Sequence, residues 1–167
     1  MISVIIGIGS NLGERVLNCN KALERMAEFS EVLSVSSYYE TEPVGVEDQP
    51  DFINCAAEIA TELEAHELLG RLKAVERSLG REGAEKWGPR MIDLDIIFYG
   101  DRTIDDSKLR VPHPEAHLRR FVLEPVREIA PALIHPVLKV TVTELLSRLK
   151  DSKKVVKLDQ SSTSDSQ

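Results

Sequence analysis

Positive charge is scarce in this 167-residue chain. Lys and Arg number 21 against 28 Asp and Glu, a formal charge of −7. A phosphate polymer wants a broad basic face, so this acidic chain is a poor general binder of nucleic acid, and equally unpromising for an anionic membrane surface. Any phosphate-bearing small molecule must meet locally concentrated positive charge, from a few arginines or from metal ions. No uninterrupted apolar run approaches the length that spans a bilayer. The opening MISVIIGIGS lacks a basic leader and a small-residue cleavage site, and it reads as a first strand, not a signal peptide. Only two cysteines occur, Cys19 and Cys55, with no metal-type spacing. They read as reduced, partly buried thiols of a cytoplasmic protein. Two nucleotide-binding signatures are also missing. The run Gly7-Ile-Gly-Ser-Asn-Leu-Gly13 lacks the G-x-G-x-x-G spacing, and no G-x-x-x-x-G-K-[ST] occurs.

What is present is one domain's worth of mixed structure, expected over 1–159, with a polar tail at 160–167 expected to be disordered. Residues 2–9 read as a buried strand. Leu12, Val16, Cys19, Leu23 and Met26 mark one face of a helix, with Asn11 and Glu14 as a capping box. Residues 32–41 read as a second strand. In 52–63, Ile53, Cys55, Ala57, Ile59 and Leu63 alternate on one face, so Phe52 and Asn54 share the other. Leu68, Leu72, Val75 and Leu79 stripe a helix over 65–79 that Gly80 stops. A polar loop leads to a strand at 92–98 and a hairpin through Tyr99-Gly100-Asp101-Arg102. A helix from Val111-Pro112-His113-Pro114 to about Phe121 and another near 143–150 complete an α+β sandwich.

The chemistry concentrates around Trp87-Gly-Pro-Arg90-Met-Ile-Asp93-Leu-Asp95. Residues two apart on a strand face the same way, so Asp93 and Asp95 point together while Ile92, Leu94 and Ile96 point oppositely. A hard divalent cation removes the repulsion between two such carboxylates, and Mg²⁺ takes one or two of them plus water and phosphate oxygens. The plain alternative is a solvated strand face: ten aspartates give about 0.6 Asp-x-Asp pairs by chance. The apolar flanks and Arg90 in a rigid Gly-Pro turn favour the metal–nucleotide reading, since Arg90 can offer a phosphate two parallel hydrogen bonds. Arg81 and Lys86, and His113, His117, Arg119 and Arg120, are the densest positive groupings; each alone also reads as a solvated face. Trp87 stands as either a lid over a ligand or a loop anchor. Phe52 and Asn54 suit a flat heterocycle, with ring stacking and carboxamide pairing, or else core packing and backbone satisfaction.

Taken in order, these segments resemble the 6-hydroxymethyl-7,8-dihydropterin pyrophosphokinase family of folate biosynthesis. The residues that carry the resemblance are Gly9-Ser-Asn-Leu-Gly13, Tyr39-x-Thr41-x-Pro43-x-Gly45, Gln49-Pro-Asp-Phe-Ile-Asn54, Gly80-Arg81, Trp87-Gly-Pro-Arg90-x-x-Asp93-Leu-Asp95-Ile-Ile97, Val111-Pro-His-Pro114 and Arg119-x-Phe121. They span roughly residues 2 to 135. Two departures are a loop between Arg81 and Trp87 that is shorter and poorer in basic residues, and Phe52 where a tyrosine is common.

The resemblance implies a ferredoxin-like α+β core, a mostly antiparallel sheet flanked by helices on both faces. It implies pyrophosphate transfer from ATP to the pterin hydroxymethyl oxygen, with AMP released. Asp93 and Asp95 would hold two Mg²⁺ ions. Arg81, Arg90, His113 and Arg119 would contact the ATP phosphates, with Glu76 near the adenosine and Trp87 over the nucleotide. Asn54 would pair with the pterin edge, Phe52 and Phe121 would flank its ring, and Thr41, Pro43 and Val44 would line the pocket. The expected partners are these small molecules, with neither nucleic acid nor membrane, and the expected state is a cytoplasmic monomer with no fused neighbouring enzyme. Two rival classes stand beside this: another Mg²⁺-dependent phosphotransferase sharing only the aspartate pair, and a non-catalytic ferredoxin-like binding module.

Overall fold

The structure is a computed structural model, and it describes residues 1–44, 48–81 and 91–158, the side chain of Arg81 excepted. The elements run β1 (Ile2–Ser10), α1 (Arg15–Met26), β2 (Glu31–Val35), β3 (Tyr39–Thr41), β4 (Phe52–Thr61), α2 (Ala65–Glu76), β5 (Asp93–Tyr99), β6 (Ile104–Asp105), β7 (Arg110–Val111), α3 (Arg120–Ile129), α4 (Val142–Arg148) and β8 (Val155–Lys157). The main sheet is antiparallel in the order β5-β1-β4-β3-β8, with β2 also on β4. Within it, β1-α1-β2-β4-α2-β5 forms the split β-α-β repeat of a ferredoxin-like core.

The alternation along each strand sorts its side chains to two cores. Val4, Ile6, Ile8, Ile53, Cys55, Ala57, Ile59, Leu94 and Ile96 pack with α1 and α2 on one face. Ile5, Ala56, Ile97 and Phe98 pack with α3 and α4 on the other. Leu68 and Leu72 of α2 are fully buried, and burial of each contributes about 2 kcal/mol. Cys19 and Cys55 are buried free thiols. A hydrogen bond with Cys19, then burial, pushes the Cys55 thiol well above its ordinary value, which keeps it an inert packing group.

Several elements depart from the sequence reading. No side chain caps α1: its first residue is Arg15, and Asn11 instead donates to Gln49 Oε1 at 3.1 Å and to the Pro50 carbonyl at 3.2 Å. The single strand expected over 32–41 is two, because the chain breaks after Val35. There Ser36 both pairs with Ala56 through its backbone and accepts the Ala56 N–H on its hydroxyl. The hairpin after β5 does not form with β5. Ile104–Asp105 pairs instead with Arg110–Val111 in a separate ribbon. The helix expected from Pro112 to Phe121 is a short 3₁₀ turn at Ala116–Leu118, and α3 starts at Arg120 after an extended Arg119. The sequence reading had no counterpart for β8. Residues 159–167, including the whole of the expected tail, lie outside the described residues.

Candidate active site

Asp93, Asp95, Asn54, Phe52 and Thr41 are brought to one face by strand register. Residues paired across antiparallel strands project to the same face. Gly9 pairs with Asp93 on one side and Asn54 on the other, and Asn54 pairs with Tyr39. One row therefore reads Asp93–Gly9–Asn54–Tyr39. The next reads Asp95–Gly7–Ala56, and Thr41 faces Phe52 one row beyond Asn54. All lie on the α3–α4 side of the sheet, past the end that Ile5 and Ala56 bury. Strands are about 4.8 Å apart, so the aspartates and the carboxamide stand roughly 10 Å apart across a floor of two glycines.

That floor exists because glycine has no Cβ. A Cβ on Gly9 would meet Asn54 Oδ1 at 2.5 Å and Phe52 Cδ1 at 3.4 Å, and one on Gly7 would meet Ile97 Cδ1 at 3.2 Å. Glycine inside a strand marks such a close approach. Sequence reasoning weighed Gly7 and Gly9 as a failed dinucleotide motif, and Gly9 as part of the family resemblance, but not as a floor. Their spacing of two within an otherwise β-branched strand was the signal that they share a face.

On the heterocycle side, Asn54 is buried and its Nδ2 donates to Thr41 Oγ1 at 2.6 Å. The carboxamide is thereby oriented, with Thr41 itself 1% exposed. Phe52 is half-buried, Pro43 likewise, and Val44 is exposed. On the carboxylate side, Asp93 is half-buried and Asp95 exposed. Leu94 between them points into the opposite core, as the alternation predicts. β5 is an edge strand, and its outer side is covered twice. Glu76, 2% exposed, accepts the Leu94 N–H on Oε2 at 2.8 Å, and Lys73 Nζ lies 3.4 Å from its Oε1. The Ile97 carbonyl accepts the His113 N–H at 2.9 Å. Glu76 thus sits behind the aspartate strand, a place its helical position alone did not reveal.

His113 brings the segment before α3 beside β5. Its Nδ1 accepts the Glu115 N–H at 3.2 Å. Burial, then the Arg119 charge, lowers its pKa from the ordinary 6.5 against the opposing effect of Glu115. Arg119 is ion-paired with Glu115 and lies 5.7 Å over the ring of half-buried Phe121. Arg119 therefore has a carboxylate to exchange for any incoming anion. Gly80 closes the turn after α2 at φ 104, a conformation that suits glycine, and Arg81 follows it. Trp87 and Arg90 lie outside the described residues, as does the side chain of Arg81. A separate cleft of about 510 Å³ lies beside α3, lined by Tyr39, Glu124, Arg127, Glu128 and Lys157 among others, and contains none of the expected site residues.

The lowered histidine value has a pH consequence. Folding disfavours the protonated ring, so the unfolded chain binds more protons below pH 6.5. The contribution is complete above that value and is lost as pH falls through the lower folded value. His135 acts in the same direction, lowered by burial and by His117. The urea midpoint is expected to fall between pH 7 and about pH 5, and to fall less in His113→Asn, whose side-chain oxygen can replace Nδ1. Equal falls in both proteins would remove His113 as a cause.

Comparison with known proteins places the chain in a family. A model of the 7,8-dihydro-6-hydroxymethylpterin-pyrophosphokinase family matches residues 5–131. The chain is 42% identical over 137 residues to the 2-amino-4-hydroxy-6-hydroxymethyldihydropteridine pyrophosphokinase of Aquifex aeolicus, covering 82% of this chain and 86% of that protein. It is 38% identical over 157 residues to the Haemophilus influenzae protein of the same name, covering 93% and 98%. Among solved structures, the HPPK-DHPS triple mutant of Plasmodium falciparum superposes with a TM-score of 0.75 at 16% identity, covering 88% of this chain. This chain spans 44% of that longer one, and the likeness supports the fold. By the family match and these relatives, the chain belongs to the 7,8-dihydro-6-hydroxymethylpterin-pyrophosphokinase family and is a pyrophosphokinase.

Proposed function

We propose that the glycine-floored row is where this enzyme aligns its two substrates, with the triphosphate over Asp93 and Asp95 and the pterin against Asn54. The reaction is the pyrophosphate transfer of folate synthesis, from ATP to the hydroxymethyl oxygen of 6-hydroxymethyl-7,8-dihydropterin. The observation that carries the assignment of sides is the register itself, which sets two carboxylates and one oriented carboxamide on a single face.

The donor set fits a hard cation: two carboxylates two residues apart on one strand face, with water and phosphate oxygens to complete the shell. Asp93 and Asp95 would hold Mg²⁺, two ions in this reading. When bound, Mg²⁺ supplies charge neutralisation on the triphosphate and acidity to a bound alcohol. Asn54 pairs with the pterin edge while Phe52 and Phe121 flank its ring, and Thr41, Pro43 and Val44 line the slot. Arg81, Arg90, His113 and Arg119 hold phosphate oxygens, Arg119 by giving up Glu115. Trp87 packs over the nucleotide. Glu76 serves the ATP side through the strand it holds. The new bond joins the hydroxymethyl oxygen to the β-phosphorus, the bond from that phosphorus to the α-phosphate oxygen breaks, and AMP leaves with that electron pair. The alcohol proton is lost in the transfer. Such chemistry needs alignment and charge neutralisation more than covalent help. The two buried free thiols fit a reducing compartment, and the enzyme works in the cytoplasm.

The test is product identity. With ATP, Mg²⁺ and 6-hydroxymethyl-7,8-dihydropterin, AMP is expected, and only when the pterin is present. ADP would indicate an ordinary kinase, and no turnover a binding module.

A further inference from the structure

The chain beyond residue 131, where the family match ends, returns to the pterin side of the site. β8 adds to β3 with Val155 opposite Thr41 and Lys157 opposite Tyr39. Just before it, Lys154 touches both ends of the segment that joins β3 to β4. Its backbone N–H donates to the Glu42 carboxylate, and its carbonyl accepts the Glu42 N–H at 3.3 Å. Its Nζ pairs with Asp51 Oδ2 at 2.5 Å. Glu42 precedes Pro43 and Val44, and Asp51 precedes Phe52. From the other side, Arg15 of α1 donates to the Asp51 carbonyl at 2.9 Å and to Glu40 at 3.1 Å.

We propose that Lys154 is a positioning residue for the heterocycle slot, a cross-tie between Glu42 and Asp51 that sets where Pro43, Val44 and Phe52 stand. Three features support this. The β3–β4 ladder ends at the Thr41–Phe52 pair, and Lys154 closes the position immediately beyond it. Asp51 is gripped at two different atoms, its carbonyl by Arg15 of α1 and its carboxylate by Lys154 just before β8, so it is fixed in orientation as well as in place. The tie is solvent-accessible, with the Lys154 and Asp51 side chains 45% and 29% exposed. Exposed ion pairs add little to global stability, so its geometry points to local order. The hydrogen bond to Asp51 raises the Lys154 pKa despite some desolvation, and the ammonium stays charged through the working pH range.

The proposal rests on the reading that this slot takes the pterin, and the experiment separates the two. Lys154→Ala is expected to raise the KM for the pterin about fivefold while kcat and the KM for ATP stay within about twofold. Lys154→Arg should retain the wild-type pterin KM. Lys154→Asp should be worse than Lys154→Ala, and combining it with Asp51→Lys should recover most of the loss. An unchanged pterin KM in Lys154→Ala overturns the proposal, as does a parallel loss in kcat and both KM values. Asn54→Ala is measured alongside. If it raises the pterin KM and Lys154→Ala does not, only the positioning role fails. If it leaves the pterin KM unchanged, the slot itself is misassigned.

Discussion

Asp95→Ala is expected to reduce turnover by about a thousandfold or more while the fold persists. The magnitude follows from the charge involved. A triphosphate stripped of a bound counter-ion loses several kcal/mol of transition-state stabilisation, and about 4 kcal/mol corresponds to a thousandfold in rate. The fold should survive because Asp95 joins the sheet through its backbone, which alanine supplies equally. It pairs with Gly7 through the β1–β5 ladder, and its side chain is on the exposed side of an edge strand. A solvent-facing strand substitution of this kind changes stability by about 1 kcal/mol at most. AMP release and the urea midpoint together read both halves of the expectation. Asp101→Ala, in the exposed turn after β5, serves as the comparison and should retain full activity. Wild-type turnover by Asp95→Ala in Mg²⁺ would sink the metal assignment.

The aspartate pair was legible in the sequence for the reason that makes it useful. Alternation in β5 is strict through Ile96, so two residues of one chemistry at a spacing of two had to share a face. The same held for Phe52 and Asn54, whose opposite neighbours Ile53 and Cys55 are in the α1–α2 core. What one strand cannot state is its register against another. That Asp93 and Asn54 occupy one row depends on Gly9 between them, a long-range pairing with no local signature. Other misses have local causes. Asn11 and Glu14 have capping-box spacing, but the Asn11 side chain is bonded to Gln49 and Pro50 instead. A cross-chain partner displaced the local one. In α3, Pro125 lacks the N–H that would bond the Phe121 carbonyl, so the sequence pattern ends a helix where the structure continues one. β8 has three residues, too short for a period to show, and it is a strand because β3 offers an open edge.

Gly9→Ala carries the second large expectation: loss of pterin affinity by at least tenfold, with ATP binding retained. Gly9 is not among the residues with positive φ, so alanine meets no backbone objection there. The effect is one of space. The new methyl would lie 2.5 Å from Asn54 Oδ1, and Asn54 has nowhere to retreat. It is 9% exposed, and its Nδ2 is held by Thr41 at 2.6 Å. Moving the carboxamide breaks that bond or turns the amide away from the slot, and the same methyl would touch Phe52 Cδ1 at 3.4 Å. Overpacking of this kind also costs about 1–3 kcal/mol of stability, so the binding measurement is made by titration at a temperature where the variant is fully folded. Gly7→Ala gives the contrast. Its methyl would meet Ile97 Cδ1 at 3.2 Å, the far end of a flexible side chain on the carboxylate side of the floor. Pterin affinity should then remain near the wild-type level. Equal losses in the two variants would mean that the floor is sensitive everywhere and that Asn54 has no special place on it. A loss confined to Gly9→Ala locates pterin recognition at the carboxamide, because that is the group the methyl displaces.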